Sequence, residues 1–182
     1  MSDQTQETIV VDGLALAQDI RKQLAEEVGK YTAAGKRVPC LAVVLVGDDP
    51  ASASYIKGKQ RACSQVGMEA IERHLPASSS EQDVILVVQE LNLDDSVDGI
   101  LVQLPLPKGI SPNAVAAAID PANDVHALHP STAGKLLLGN ATLAACTPLA
   151  STETLHPPGN VYQGATAVVI GRSSLAVTPA LL

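Results

Sequence analysis

Apolar residues recur along the chain at two spacings, and the switches between them mark out its elements. Ala17, Ile20, Leu24, Val28 and Tyr31 stand three or four apart, the period of one helical face, and Gly35 follows as a stop. Leu41-Ala42-Val43-Val44-Leu45-Val46 is an unbroken apolar run of strand length, which predicts a strand buried on both faces. It ends in Gly47-Asp48-Asp49-Pro50, after which the polar stretch up to Cys63 predicts a helix closing near Gly67, with Ser52 and Ser54 as candidate caps. Residues 68–75 form a weaker strand candidate. Ser79 and Gln82 resemble a capping box, placed before a helix that carries Val84, Val87, Val88 and Leu91. Asp98-Gly99 turns into a short apolar strand cut off by Pro105 and Pro107, which cannot continue a central ladder. Ser111-Pro112 opens a further helix with Val115, Ala118 and Ile119 on its inner side. Strand and helix alternate, so an α/β fold with a mostly parallel sheet is expected.

Composition narrows this picture. Of the 182 residues 46% are hydrophobic, yet there is no Phe, no Trp and only three Tyr. The core must therefore be built from Val, Leu, Ile and Ala, which suits buried parallel strands covered by Ala-rich helices. The length allows one domain, or one and a part. A net charge of -7 argues against nucleic acid or an anionic membrane surface as partner. Cys40, Cys63 and Cys146 are odd in number and follow no pairwise motif, so neither a disulfide framework nor a zinc site is indicated. The first seven residues are polar and acidic, unlike a secretion signal, and no apolar run is long enough to span a bilayer. A soluble protein of a reducing cytoplasm is expected.

Candidate chemistry gathers after the first strand. Tyr55 and Lys59 are four residues apart on one helical face, close enough for a phenol and an amine to act on the same small molecule. They follow the carboxyl end of a strand, where open α/β sheets place ligands. Apolar packing and the neighbouring cations Lys57 and Arg61 would lower the Lys59 pKa toward neutrality. A solvated basic helix face explains the same spacing. Gln103 is an amide inside an apolar strand, so it is either a satisfied core group or a ligand contact. His126 and His129 with Asp124 could be read as metal ligands, but no fourth ligand is near and no metal is expected. His74 and His156 carry no signal beyond surface placement.

Five segments occur together and in order: Tyr55-x-x-x-Lys59; the run from Asp98 through Gln103, Leu104 and Pro105 to Pro107; Asp124 to Pro130 followed by Gly134-Lys135-Leu136; Cys146-Thr147-Pro148; and Gly171-Arg172-Ser173. Together they resemble the bifunctional methylenetetrahydrofolate dehydrogenase/methenyltetrahydrofolate cyclohydrolase family, from about Val10 to the last residue. The resemblance implies a three-layer α/β catalytic domain over residues 1–148 and an incomplete Rossmann-type NADP domain over 149–182. The activity it implies is NADP-dependent oxidation of 5,10-methylenetetrahydrofolate, then hydrolysis of the methenyl product to 10-formyltetrahydrofolate. Lys59 would be catalytic, with Tyr55 against the folate, Gln103 setting the lysine's protonation, and Asp124 and Pro105 also contacting substrate. Gly171, Arg172 and Ser173 after a strand over 165–170 would hold NADP. A homodimer is the family's assembly.

The departures carry their own expectations. The family's second aspartate in the Asp-Val-Asp-Gly run, which binds the pterin, is His126 here, and its glycine is Ala127. An imidazole cannot reproduce the paired acceptance of a carboxylate, so a weaker hold on folate is expected. Val177 and Ala150 stand where the family has glycine. The sequence ends at Leu182, which implies a cofactor domain cut short with Pro157-Pro158-Gly159 as its joint, and a hydrolytic step that survives better than the NADP-dependent one. The competing reading is a non-catalytic paralogue or a subunit partner of an intact homologue.

Overall fold

The computed structural model describes residues 10–141, 143–155, 164, 166 and 168–170. Among these, nine elements follow in order: α1 (Gly13–Ala33), β1 (Cys40–Val46), α2 (Pro50–Val66), β2 (Glu69–Leu75), α3 (Glu81–Asn92), β3 (Gly99–Val102), α4 (Pro112–Ala118), α5 (Pro130–Leu137) and α6 (Cys146–Leu155). The three strands form one parallel sheet in the order β2-β1-β3, with Cys40 paired to Glu69 and Leu41 to Gly99.

The apolar run Cys40–Val46 is central because it is the strand that can lose water on both faces. Ala42, Val44 and Val46 point to one side, into a cluster with Val84, Val88 and Leu91 of α3 and Val115 of α4. Val43 and Leu45 point to the other, onto Ile56 of α2 and Leu101 of β3. Helices thus cover both faces, and α1 lies outermost, against α2. The edge strand β2 carries Glu69, Glu72, Arg73 and His74, charged or polar groups that discourage further pairing. On the opposite edge, Ile100 N–H donates to Asn123 O at 2.7 Å and Ile100 bridges to Asp124, so the chain after α4 covers the outside of β3.

Three expectations are corrected. The cap of α2 is Asp49, whose carboxylate accepts from Ser52 N at 2.7 Å with Pro50 in the first turn; Ser52 is buried inside the helix and Ser54 lies further along it. Asp with Pro following it fills cap and first turn together, which displaces the serines. The capping box is one residue later than expected, Ser80 with Asp83. Thr166 and residues 168–170 are not in a strand, and Val168 and Ile170 are exposed. An apolar run becomes a strand only where a neighbour pairs with it, and among the described residues none does. Residues 171–173, 156–159 and 177 lie outside the described residues.

Candidate active site

Helix α2 leaves the C-terminal end of β1 and buries Ser52, Ile56, Cys63 and Val66. One stripe round from that face, Tyr55 and Lys59 sit at the rim of the sheet. Gln103 follows β3 directly, and its N–H still donates to Val44 O at 2.9 Å, so its side chain emerges between the ends of β3 and β1. Lys59 Nζ donates to Gln103 Oε1 at 2.8 Å, and Gln103 Nε2 donates to Leu104 O at 2.7 Å. The second bond fixes the orientation of the amide, because the nitrogen must face the carbonyl and the oxygen must face the amine. Gln103 is buried and both ends of its side chain are used.

Tyr55 is 65% exposed, with its ring centroid 6.0 Å from Lys59 Nζ, so the phenol forms an open wall beside the amine. Burial lowers the Lys59 pKa, and the nearby Cys146 thiol partly opposes this. The neighbouring cations Lys57 and Arg61, expected to contribute, are exposed and are not among its causes.

A cavity of about 200 Å3 opens at this amine. Lys59, Gln103, Leu104 and His126 form one part of its wall, and Ala145, Cys146 and Thr147 at the start of α6 form the rest. Small-molecule pockets begin at roughly 300 Å3, so the cavity fits the reacting end of a ligand whose remainder lies outside, along Tyr55.

Asp124 and Pro105 are placed differently from expectation. Asp124 is fully buried; its Oδ2 accepts from His129 N at 2.8 Å and its Oδ1 from Leu128 N at 3.3 Å. It turns the chain from 124 to 129 and presents no oxygen to the cavity, because the amides of that turn leave it no free face. Pro105 is exposed beyond the rim, and Leu104 rather than Pro105 lines the cavity. What the Asp124 turn delivers is His126. Its Nδ1 is buried without a hydrogen-bond partner, and its pKa is lowered by burial first and the Lys59 charge second, against a smaller raising effect of Asp124. Ala127 takes φ +55°, the left-handed region that glycine prefers. His129 caps α5 through its ring, accepting from Ser131 N at 3.1 Å, and His74 Nε2 lies 2.9 Å from Gly47 O.

Residues 11–126 match the family model of the tetrahydrofolate dehydrogenase/cyclohydrolase catalytic domain. The chain belongs to this family. The bifunctional protein FolD of Desulfovibrio desulfuricans is 44% identical to it over 174 residues, covering 96% of this chain and 61% of that protein. Among solved structures, a 5,10-methylenetetrahydrofolate dehydrogenase from the silkworm Bombyx mori superposes with a TM-score of 0.87 at 35% identity, over 96% of this chain and 60% of the other. The methylenetetrahydrofolate dehydrogenase-cyclohydrolase of Trypanosoma brucei, solved with NADP cofactor and inhibitor, gives 0.84 at 29% identity, over 97% and 60%. The chain spans about 60% of the length of these folate-enzyme relatives.

Within this family frame, Lys59, Gln103 and Tyr55 come together as their motifs suggested. Cys146 and Thr147 were visible as a motif but not as cavity wall; nothing local marks them, because only the tertiary fold brings the start of α6 to Lys59. For NADP, the expected residues Gly171, Arg172 and Ser173 lie outside the described residues, and those just before them form no strand. The strand-and-turn cradle a dinucleotide requires is therefore not met among the described residues. Among those residues no cluster of His, Cys, Asp or Glu could hold a metal ion, and no helix is long and apolar enough to cross a membrane.

Proposed function

We propose that the chain binds a reduced folate at Lys59 and hydrolyses the methenyl bridge of 5,10-methenyltetrahydrofolate to 10-formyltetrahydrofolate. One observation carries the reading: an amine of lowered basicity, held at 2.8 Å on a fully used carboxamide, at the mouth of a cavity. A neutral lysine there takes a proton from the water whose oxygen bonds to the bridge carbon. When the bond from that carbon to N5 then breaks, the hydroxyl proton leaves, the formyl group stays on N10, and N5 is protonated; one proton passes to solvent. Gln103 holds the amine in place, and Tyr55 lies open to pack on the folate.

In this proposal Pro105 forms the outer rim, Asp124 positions the turn, and residues 1–148 with 149–182 remain the division into folate and cofactor parts. No step is routed through NADP. Free thiols at Cys40, Cys63 and Cys146 support a reducing, cytoplasmic setting, and the family likeness supports a homodimer.

The test measures methenyltetrahydrofolate hydrolysis and NADP reduction separately, on the chain and on Lys59→Met. Loss of a positioned proton acceptor is expected to lower hydrolysis by about 10²-fold or more. Hydrolysis that persists in Lys59→Met removes the amine from the mechanism, and a chain that binds no folate favours the non-catalytic reading.

A further inference from the structure

The cavity wall carries two nucleophiles of different kinds, the Lys59 amine and the Cys146 thiol. They come from α2 and from the start of α6, and the sulfur is close enough to act electrostatically on the amine. Among the described residues no carboxylate lines the cavity, so no acidic partner holds the amine charged, and burial favours its neutral form. One N–H of the amine is given to Gln103 Oε1 at 2.8 Å, and the lone pair of the neutral form is left free to attack. Cys146 is exposed, and its Sγ donates to Val125 O at 3.7 Å, a weak bond easily given up. A desolvated lysine is the side chain that condenses with carbonyl compounds, and a thiol beside it is a second, softer nucleophile for the imine so formed.

We propose that Lys59 and Cys146 together form a capture site for small aldehydes, formaldehyde above all, closed by a one-carbon bridge between nitrogen and sulfur. The amine lone pair adds to the carbonyl carbon, and the resulting carbinolamine loses water to give an imine. The thiol sulfur then adds to the imine carbon, and the thiol proton passes to the nitrogen. One aldehyde is taken up and one water released, with no change of oxidation state and no further reactant. The flexible four-carbon stem of Lys59 supplies the reach. Once the imine exists, the second addition is intramolecular, so the thiol acts at an effective concentration far above that of any thiol in solution. Formaldehyde suits the place best, because its carbon brings no substituent into a cavity of about 200 Å3 that Leu104, His126 and Thr147 also wall. The bridge consumes the amine that the folate reading uses, so it would stop hydrolysis, but its formation does not depend on that reading.

Peptide mass spectrometry of the full chain after treatment with dilute formaldehyde provides the test. A linked pair of peptides bearing Lys59 and Cys146, heavier than their sum by one carbon atom, is expected. It should form at formaldehyde concentrations about tenfold or more below those that modify Lys57, an exposed lysine of the same helix. Cys146→Ala should abolish the link, while cyanoborohydride still traps the Lys59 imine as a methylamine in that variant. Should the variant not fold, as circular dichroism would show, alkylating Cys146 in the folded parent chain removes the thiol instead and should abolish the link equally. A link that persists without the thiol overturns the inference. So does modification of Lys59 with no link to Cys146, or a link that appears only at concentrations that modify Lys57. Hydrolysis of 5,10-methenyltetrahydrofolate, followed in parallel, should fall in step with the link. A link formed in a chain that neither binds nor hydrolyses folate supports the capture site and overturns the folate reading alone.

Discussion

The Lys59 amine has Gln103 Oε1 as its side-chain acceptor, and that acceptor is neutral. The neutrality has a kinetic consequence. Burial lowers the lysine pKa below its ordinary value of 10.5, so the fraction of neutral amine, and with it hydrolysis, should rise with pH along a limb centred below that value. Gln103→Glu would set a carboxylate against the amine, stabilise its charged form and move the limb upward, so the rate at neutral pH should fall by about tenfold or more. A pH–rate profile of the two proteins checks this, and an unmoved limb would show that residue 103 does not govern the amine. His126 bears on stability with a definite sign. Its folded-state pKa is held below the ordinary 6.5, so the unfolded chain takes up this proton first as the pH falls. Stability from this group is present above about 6.5 and is lost as the pH drops toward the folded pKa. Urea midpoints at pH 8 and pH 5 should therefore differ less in His126→Gln than in the parent chain; equal differences would mean that the imidazole is not the group titrating.

At the level of elements, the site depends on how the segment after α4 lies along β3. Gly99 opens β3, and a Cβ there would meet Val125 Cγ1 at 2.5 Å. Val125 is stiff at χ1 and flanked by the Asp124 turn, so it cannot yield cheaply. Gly99→Ala should cost about 1–3 kcal/mol by urea unfolding and also weaken hydrolysis, because displacing Val125 displaces His126. Ala127 presents the opposite case. Its left-handed conformation costs about 1–2 kcal/mol, which glycine would relieve. Glycine also gives the unfolded chain about 0.4–1 kcal/mol more entropy to lose, so Ala127→Gly should raise stability by a net of roughly 0.5 kcal/mol. A lower melting temperature in that variant would contradict the strain. These elements also show what could be seen in advance. The central strand, α2 with its Gly67 stop, and the Ser111-Pro112 start of α4 were legible, because unbroken apolar runs, cap residues and prolines act locally. The strand expected over 165–170 was misread, since an apolar run says nothing about a pairing partner. Gln103 was open between core group and ligand contact from sequence alone; only the approach of α2 to β3 shows that Lys59 occupies its oxygen.

Across the whole molecule, the three thiols report how the layers close over the site. Cys40 begins the central strand and Cys63 lies on the inner face of α2; both are buried, and burial pushes both thiol pKa values up. Cys146 starts α6, is exposed, and forms part of the wall of the cavity that Lys59 opens into. Alkylation requires both access and thiolate, and Cys40 and Cys63 lack both. Iodoacetamide under native conditions should therefore label Cys146 first, with Cys40 and Cys63 following only in denaturant, as peptide mass spectrometry would resolve. Saturating 5,10-methenyltetrahydrofolate should slow the labelling of Cys146, because a ligand whose reacting carbon reaches Lys59 covers the start of α6 as well. Labelling of Cys63 at the rate of Cys146 would mean that α2 does not seat on the sheet. Labelling of Cys146 unaffected by folate would place the ligand away from the α6 side of the cavity, and would separate the wall built by Cys146 and Thr147 from the chemistry at Lys59.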